Sequence, residues 1–105
     1  MTTSWRNGAQ ELRVRWLKQA GADLESAEEY IAKHNPVAAA QIVLKIVKAV
    51  ALLKHQPDIG RPGRIPGTKE LVVPETPYIV PYRLMGDTVQ VLRVYHTSRK
   101  WPESI

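Results

Sequence analysis

The sequence reads NPVAAAQIVLKIVKAVALL over residues 35–53, which combines a helix start signal with a long apolar pattern. Asn35 is a residue type that caps helices, and Pro36 follows at the first helical position, where its missing N–H costs nothing. Apolar residues then recur at helical spacing until residues 55–57, HQP, end the pattern. The apolar stripe consists of Ala39, Val43, Ile46, Val50 and Leu53, widened by Ile42, Val47, Ala49 and Leu52. The sequence therefore predicts a helix from about residue 36 whose broad apolar face is largely buried.

Upstream of this helix, the sequence predicts another helix and a strand. Residues 19–33 carry apolar side chains at intervals of four and three, with Glu25, Glu28 and Glu29 on the opposite, solvated side. The apolar set consists of Ala20, Leu24, Ala27 and Ile31. Only about two residues separate the helices, so we expect an antiparallel helical hairpin. Residues 11–17 alternate apolar and basic side chains, which is the pattern of a half-buried strand.

Downstream, the sequence changes to loop and strand patterns. Residues 56–67 are rich in proline and glycine and include Arg61 and Arg64, which predicts a basic loop. Runs of β-branched and aromatic residues predict strands at 70–73, 78–84 and 88–95. Met85-Gly86-Asp87 predicts a tight turn between the last two strands. Pro81 cannot donate to a ladder, so we expect it at a sheet edge or at a bulge.

The element order is therefore β-α-α-β-β-β. This order predicts an α+β fold in which the helical hairpin packs on a mainly antiparallel four-stranded sheet. A chain of 105 residues is long enough for one hydrophobic core. We expect a single domain over 11–105, preceded by a flexible polar arm at 1–10.

Composition restricts the classes of function. The chain has no cysteine, which excludes disulfides, a thiolate nucleophile and cysteine-ligated zinc. It has neither metal-ligand spacing nor a glycine-rich phosphate loop before a helix, so we expect no metal and no cofactor. The apolar run at 37–53 is interrupted by Gln41, Lys45 and Lys48 and is shorter than a membrane span, and residues 1–10 lack a signal sequence. We therefore expect a cytoplasmic protein with no membrane contact.

Charge is unevenly distributed along the chain. The formal net charge is +5, while residues 21–35 alone carry four acids and one base. Residues 36–105 carry a net +5. This balance favours an anionic partner, either a nucleic acid or an acidic protein.

Several short motifs in a fixed order resemble the RelE/ParE superfamily of toxins from type II toxin-antitoxin modules. The resemblance covers about residues 12–102. Its motifs are Val14-Arg15-Trp16, Ala22-Asp23-Leu24, Glu29-Tyr30-Ile31 before Asn35-Pro36, Pro57 to Arg64, Gly67 to Leu71, Pro77 to Arg83, and Val91 to His96 followed by Arg99, Trp101 and Pro102. The resemblance implies a toxin that inhibits bacterial growth and is neutralised by a cognate antitoxin protein, with DNA contacted only indirectly through that antitoxin.

The superfamily divides by target. RelE-like members cleave mRNA on the ribosome, whereas ParE-like members act on DNA gyrase and are not nucleases. RelE-like enzymes usually carry an arginine before the apolar stretch of the penultimate strand, but the nearest match here, Tyr78-Ile79-Val80, has no cation. Of the lysines that those enzymes place on the preceding strand, only Lys69 has a counterpart. The long helical hairpin and the Pro-x-x-Gly-Arg turn favour the ParE-like branch. A third reading is a relative that binds antitoxin but is no longer toxic.

Each branch implies its own candidate residues. RNA cleavage needs a base, an acid and cations for the developing phosphate charge. Under the RelE-like reading the catalytic candidates are His96, Arg99 and Tyr95. The candidate target-binding residues are Arg61, Arg64, Lys69, Arg83 and Arg93. The alternatives stay open: His96 as a surface residue, Tyr95 as sheet packing, and Arg83 as an ion-pair partner of Glu70 or Asp87.

Overall fold

The computed structural model of the protein describes residues 12–98. The elements are β1 (Arg13–Trp16), α1 (Lys18–Ala32), α2 (Pro36–Ala51) with a 3₁₀ turn (Leu52–Lys54), β2 (Arg61–Pro62), β3 (Lys69–Val72), β4 (Tyr78–Met85), β5 (Thr88–Val91) and β6 (Tyr95–His96). This arrangement confirms the α+β fold with a helical hairpin packed on a sheet. The predicted arm at 1–10, together with Arg99, Trp101 and Pro102, lies outside the described residues.

The helical hairpin begins and ends close to its predicted positions. The Asn35 side chain accepts a hydrogen bond from the Ala38 N–H at 3.0 Å, which confirms the cap before Pro36. Ile46, Val50 and Leu53 are fully buried against α1 and the sheet. The predicted apolar stripe is largely buried, as expected, but Val47 and Leu52, which were predicted to widen it, are 40% and 49% exposed, and two apolar side chains outside the stripe are exposed as well. The exposed side chains are Val37, Leu44, Val47 and Leu52.

The same helix meets the length and composition of a membrane span. Over Pro36–Lys54 its mean hydropathy is 1.8, and 28% of the window is buried. This is weak evidence for a membrane, because the core helix of a soluble protein satisfies the same criterion.

The sheet is larger than predicted and is not purely antiparallel. The strand order is β1-β5-β4-β3-β2, with β6 pairing the far end of β4. β1 runs parallel to β5, and every other pair is antiparallel. β2 was predicted as loop. The strand predicted at 88–95 is broken at residues 92–94, where the Asp23 side chain accepts from the Val94 N–H at 3.0 Å.

Pro81 lies in the central strand rather than at an edge, opposite that break. Its carbonyl accepts from the Leu92 N–H at 2.9 Å, and Glu70 is its register partner on the other side. The N–H and C=O of a strand residue point to the same side, so the missing donor faces the interrupted strand. The bulge alternative was therefore the correct one.

The predicted turn between the last two long strands is a two-residue hairpin. Met85 pairs with Thr88, which leaves Gly86 and Asp87 as the turn residues. Gly86 has a φ of 62°, a conformation that favours glycine at the first position of a tight hairpin.

Both helices pack on one face of the sheet, which we call the closed face. Its strand side chains join the helices in one core and include Val14, Trp16, Leu71, Tyr78, Val80, Tyr82, Val89 and Val91. The opposite face, which we call the open face, carries no helix within residues 12–98. Alternation along the strands assigns Arg13, Arg15, Arg61, Glu70, Ile79, Pro81, Arg83, Met85 and Gln90 to it.

Candidate functional site

Two of the predicted target-binding arginines are held by one buried carboxylate. Glu70 is only 3% exposed. One of its oxygens accepts from the Arg61 side chain at 3.1 Å, and the other accepts from the Arg64 backbone N–H at 2.9 Å. The Arg64 side chain lies 3.8 Å from the same carboxylate. The loop at 57–68 therefore has a fixed shape, and Glu70 compensates part of its positive charge.

Tyr82 fixes the start of the same loop from the closed face. Its buried hydroxyl accepts from the Gly60 N–H at 2.9 Å and donates to the Pro57 carbonyl at 2.6 Å. Burial raises the pKa of this hydroxyl, although the Gly60 hydrogen bond partly opposes the shift. A Cβ at Gly60 would lie 2.6 Å from the Tyr82 ring, so the close approach requires glycine.

Arg93 ties the C-terminal segment to α1. Its guanidinium donates two hydrogen bonds to Asp23, at 2.8 and 3.1 Å. The Asp23 hydrogen bonds raise the pKa of Arg93, and the guanidinium lies 4.9 Å from the centre of the Tyr95 ring. Burial raises the pKa of Tyr95. This arrangement occupies Arg93 in a structural contact, a role that the sequence analysis did not foresee.

His96 is held by its neighbours rather than grouped with the other candidates. Its Nδ1 lies 3.1 Å from the Ser98 N–H and 2.8 Å from the Ser98 hydroxyl. Its ring meets Tyr78 edge-on, with the ring centres 5.3 Å apart. An Nδ1 that accepts the Ser98 N–H carries no proton, so this geometry suits the tautomer with its proton on Nε2.

The described catalytic candidates do not converge on one site. Tyr95 and His96 are neighbours in β6, so their side chains point to opposite faces of the sheet. Tyr95 pairs in register with Ile79 of the open face, and His96 pairs with Tyr78 of the closed face. Lys69 pairs with Tyr82 and also has closed-face parity.

Arg83 lies on the open face, and the ion pair with Glu70 or Asp87 that the sequence left open as one alternative is not formed. Its Nε donates to the Gln90 side chain at 2.8 Å. The reason is the strand register, which places Glu70 opposite Arg61 and Pro81. Arg83 is exposed, so its remaining N–H groups face solvent.

Arg83 is joined on the open face by two arginines that the sequence analysis did not single out. Register aligns Arg15 with Gln90 and Gln90 with Arg83, so three adjacent strands form one polar row. Arg13 lies two residues away on β1 and is 4.0 Å from Asp87. The alternation of β1 could have marked Arg13 and Arg15 as one face, but only the sheet order brings Arg83 beside them.

A groove of about 590 Å³ adjoins this row. Apolar side chains of Leu17, Ile65, Met85 and Leu92 line it, together with Lys18 and Arg83. It combines exposed cations with apolar surface. Within residues 12–98, no group of three histidine, aspartate or glutamate side chains is arranged to hold a metal ion.

Comparison with known proteins identifies the family. Residues 14–101 match the model of the ParE toxin of the type II toxin-antitoxin system parDE. The chain belongs to the ParE toxin family. It is therefore a toxin of the RelE/ParE superfamily, as the motifs of the sequence indicated.

Two relatives of this ParE-family chain have names that describe toxins, and one of the two carries a RelE name. It is 45% identical over 91 residues to Y4kP of Sinorhizobium fredii, which is named as a toxin candidate, covering 87% of this chain and 94% of that protein. It is 31% identical over 87 residues to the toxin RelE2 of Caulobacter vibrioides, covering 83% and 97% respectively.

Solved structures agree with the fold of this ParE-family chain. It superposes on a chain of the chromosomal ParDE system of P. aeruginosa with a TM-score of 0.76 and 28% identity, covering 84% of this chain and 98% of that one. It superposes on a chain of the RelBE2 toxin-antitoxin complex of Mycobacterium tuberculosis with a TM-score of 0.59 and 27% identity, covering 83% and 99%.

Proposed function

We propose that this ParE-family toxin stops bacterial growth by binding a protein target, DNA gyrase, in the cytoplasm, and that it does not cleave RNA. The observation that carries the proposal is the separation of Tyr95 and His96 onto opposite faces of the sheet. A ribonuclease needs its acid, base and cations around one phosphate.

The pairing of the arginines supports the same proposal. Arg93 is committed to Asp23, while Arg61 and the Arg64 backbone are committed to Glu70. A guanidinium that already shares a carboxylate has less charge to offer a phosphate. These residues give the loop and the C-terminal segment fixed shapes, which a surface that binds another protein requires.

We further propose that a cognate antitoxin covers the outer face of α2. Val37, Leu44 and Val47 of this helix form an exposed apolar strip with Leu52 of the 3₁₀ turn that follows it. α2 contains no acid, and Lys48 lies beside the strip. An amphipathic segment with apolar and acidic side chains suits this surface, because it would bury the strip and pair with the lysine.

The test is pulse-labelling of DNA and protein synthesis in bacteria during the first minutes after the toxin is induced without antitoxin, with its expression confirmed by blot. We expect DNA synthesis to fall first. An earlier fall in protein synthesis would overturn the proposal in favour of RNA cleavage. If neither falls while the protein accumulates, the chain is a non-toxic relative that binds antitoxin.

A further inference from the structure

The open face of the sheet has a basic end that is distinct from the contacts of Glu70 and of Arg93. Arg15 and Arg83 flank Gln90 in one row across β1, β5 and β4. Arg13 lies in the next row beside Asp87, at 4.0 Å. Glu70, the other acid of this face within residues 12–98, is buried and already paired with the loop at 57–68. The exposed charge at this end is therefore positive.

One cation of this end, Arg83, is held in place by a neighbouring side chain and lies beside an apolar groove. Gln90 accepts from Arg83 Nε at 2.8 Å and restricts this guanidinium over the strand. The other N–H donors of the Arg83 guanidinium stay available for a carboxylate, which they can bind in bidentate geometry. Beside it, the groove offers the apolar side chains of Leu17, Ile65, Met85 and Leu92. Met85 is 51% exposed, so its side chain adds accessible apolar surface to the groove.

We propose that this basic end and the adjoining groove form the target-contact surface of the toxin, and that its partner is an acidic polypeptide segment with an apolar anchor residue. The arginines pair with carboxylates of the segment, and the anchor enters the groove between Met85 and Leu92. The proposal rests on the proposed function, in that the target is taken to be a protein.

Two features favour a polypeptide over a nucleic acid. Single-stranded nucleic acids are held by aromatic side chains on which bases stack. The nearest aromatic side chain with open-face parity in the described strands is Tyr95, whose register partner Ile79 lies four residues along β4 from Arg83, about 13 Å away. Its ring is already covered by Arg93. The groove, in contrast, presents aliphatic and thioether surface that suits an apolar side chain.

The test measures binding of labelled probes to the full-length toxin released from its antitoxin. The probes are a peptide of alternating glutamate and leucine, the same peptide with glutamine for glutamate, and a single-stranded oligouridine RNA of equal charge. The variant is R15Q/R83Q, and the charge-matched control is K33Q/K54Q, which removes two lysines that belong neither to the basic end and its groove nor to the apolar strip of α2. Circular dichroism checks that each variant is folded.

We expect the acidic peptide to bind, the glutamine peptide to bind at least about tenfold more weakly, and R15Q/R83Q to lose about tenfold in affinity for the acidic peptide. In K33Q/K54Q this affinity should change less than about twofold. The inference would be overturned if the acidic peptide did not bind, or if both variants lost the same affinity for it. It would also be overturned if the RNA bound more tightly than the acidic peptide and R15Q/R83Q abolished that RNA binding. If the acidic peptide binds but the toxin leaves DNA synthesis unaffected, the gyrase proposal is refuted. The proposed contact surface is still supported in that case.

Discussion

The two faces of the central strands differ in how their side chains are used. On the closed face, Val80, Tyr82 and Val89 have no exposed surface and pack against the helices. On the open face, Arg83 and Met85 of the same strand β4 are exposed. Residues only one position apart therefore serve different purposes, since alternation sends successive side chains to opposite sides. We conclude that changes on the closed face act on stability, and that changes at the basic end of the open face act on binding.

The largest loss of stability is expected from the core of the closed side. Ile46→Ala removes a fully buried side chain and leaves a cavity, so the free energy of unfolding should fall by about 3 kcal/mol. Leu44→Ala on the same helix is the control, because Leu44 is half-exposed and its loss should cost less than about 1 kcal/mol. Urea denaturation measures both. Equal losses would mean that α2 does not pack as described.

A smaller loss is expected from the buried carboxylate of the open face. Glu70→Ala leaves the Arg64 N–H and the Arg61 guanidinium without their acceptor, which should cost about 2 kcal/mol. Glu28→Ala removes an exposed acid of α1 and should change stability by less than about 0.5 kcal/mol. Limited proteolysis should also cut the loop at 57–68 faster in Glu70→Ala than in the wild type, whereas Glu28→Ala should be cut at the wild-type rate. Unchanged cleavage would show that Glu70 does not hold the loop.

Tyr82→Phe should cost about 1 kcal/mol, because Gly60 loses the acceptor for its buried N–H. The variant should also change the response to alkali. Burial raises the pKa of Tyr82 above 10.0, so the native state keeps this proton at a pH where the unfolded state has lost it. The stabilisation is therefore present below pH 10 and is lost as the pH rises through the raised pKa.

Denaturation curves of wild type and Tyr82→Phe between pH 8 and 11 measure this contribution. The free energy of unfolding of the wild type should fall more steeply above about pH 10 than that of the variant. Parallel profiles would contradict a raised pKa of the Tyr82 hydroxyl in the native state.

The smallest effect is expected from His96→Ala. Its ring contacts Tyr78 and Ser98 on the closed-face side and is separated from the basic end of the open face. Growth inhibition after induction should therefore change less than about twofold, whereas loss of a general acid or base lowers a rate by about a hundredfold or more. A hundredfold weaker toxin at equal expression would return His96 to a catalytic role.

Local patterns were sufficient to predict the helices and the order of most strands. Asn35 and Pro36 specify a helix start because the cap hydrogen bond joins residues only three positions apart. The apolar spacing within each helix is likewise a local pattern that can be read from the sequence. The strand break at 92–94 could not be predicted in this way. Its cause is Asp23, a side chain 71 residues away that takes the Val94 N–H out of the ladder.

The candidate site was predicted less well for the same reason. Arg61 and Arg93 were recognised as cations, but the carboxylates that pair with them come from other elements. The row of Arg15, Gln90 and Arg83 exists only because β5 lies between β1 and β4. Strand order is a property of the whole chain, so spacing along the sequence does not contain it.

We expect toxicity to depend on the basic end of the open face and not on His96. The most direct test adds purified wild type, His96→Ala and R15Q/R83Q to a DNA gyrase supercoiling reaction. We predict that wild type and His96→Ala inhibit supercoiling equally and that R15Q/R83Q inhibits at least about tenfold less. Equal inhibition by R15Q/R83Q, or loss of inhibition in His96→Ala alone, would contradict the account.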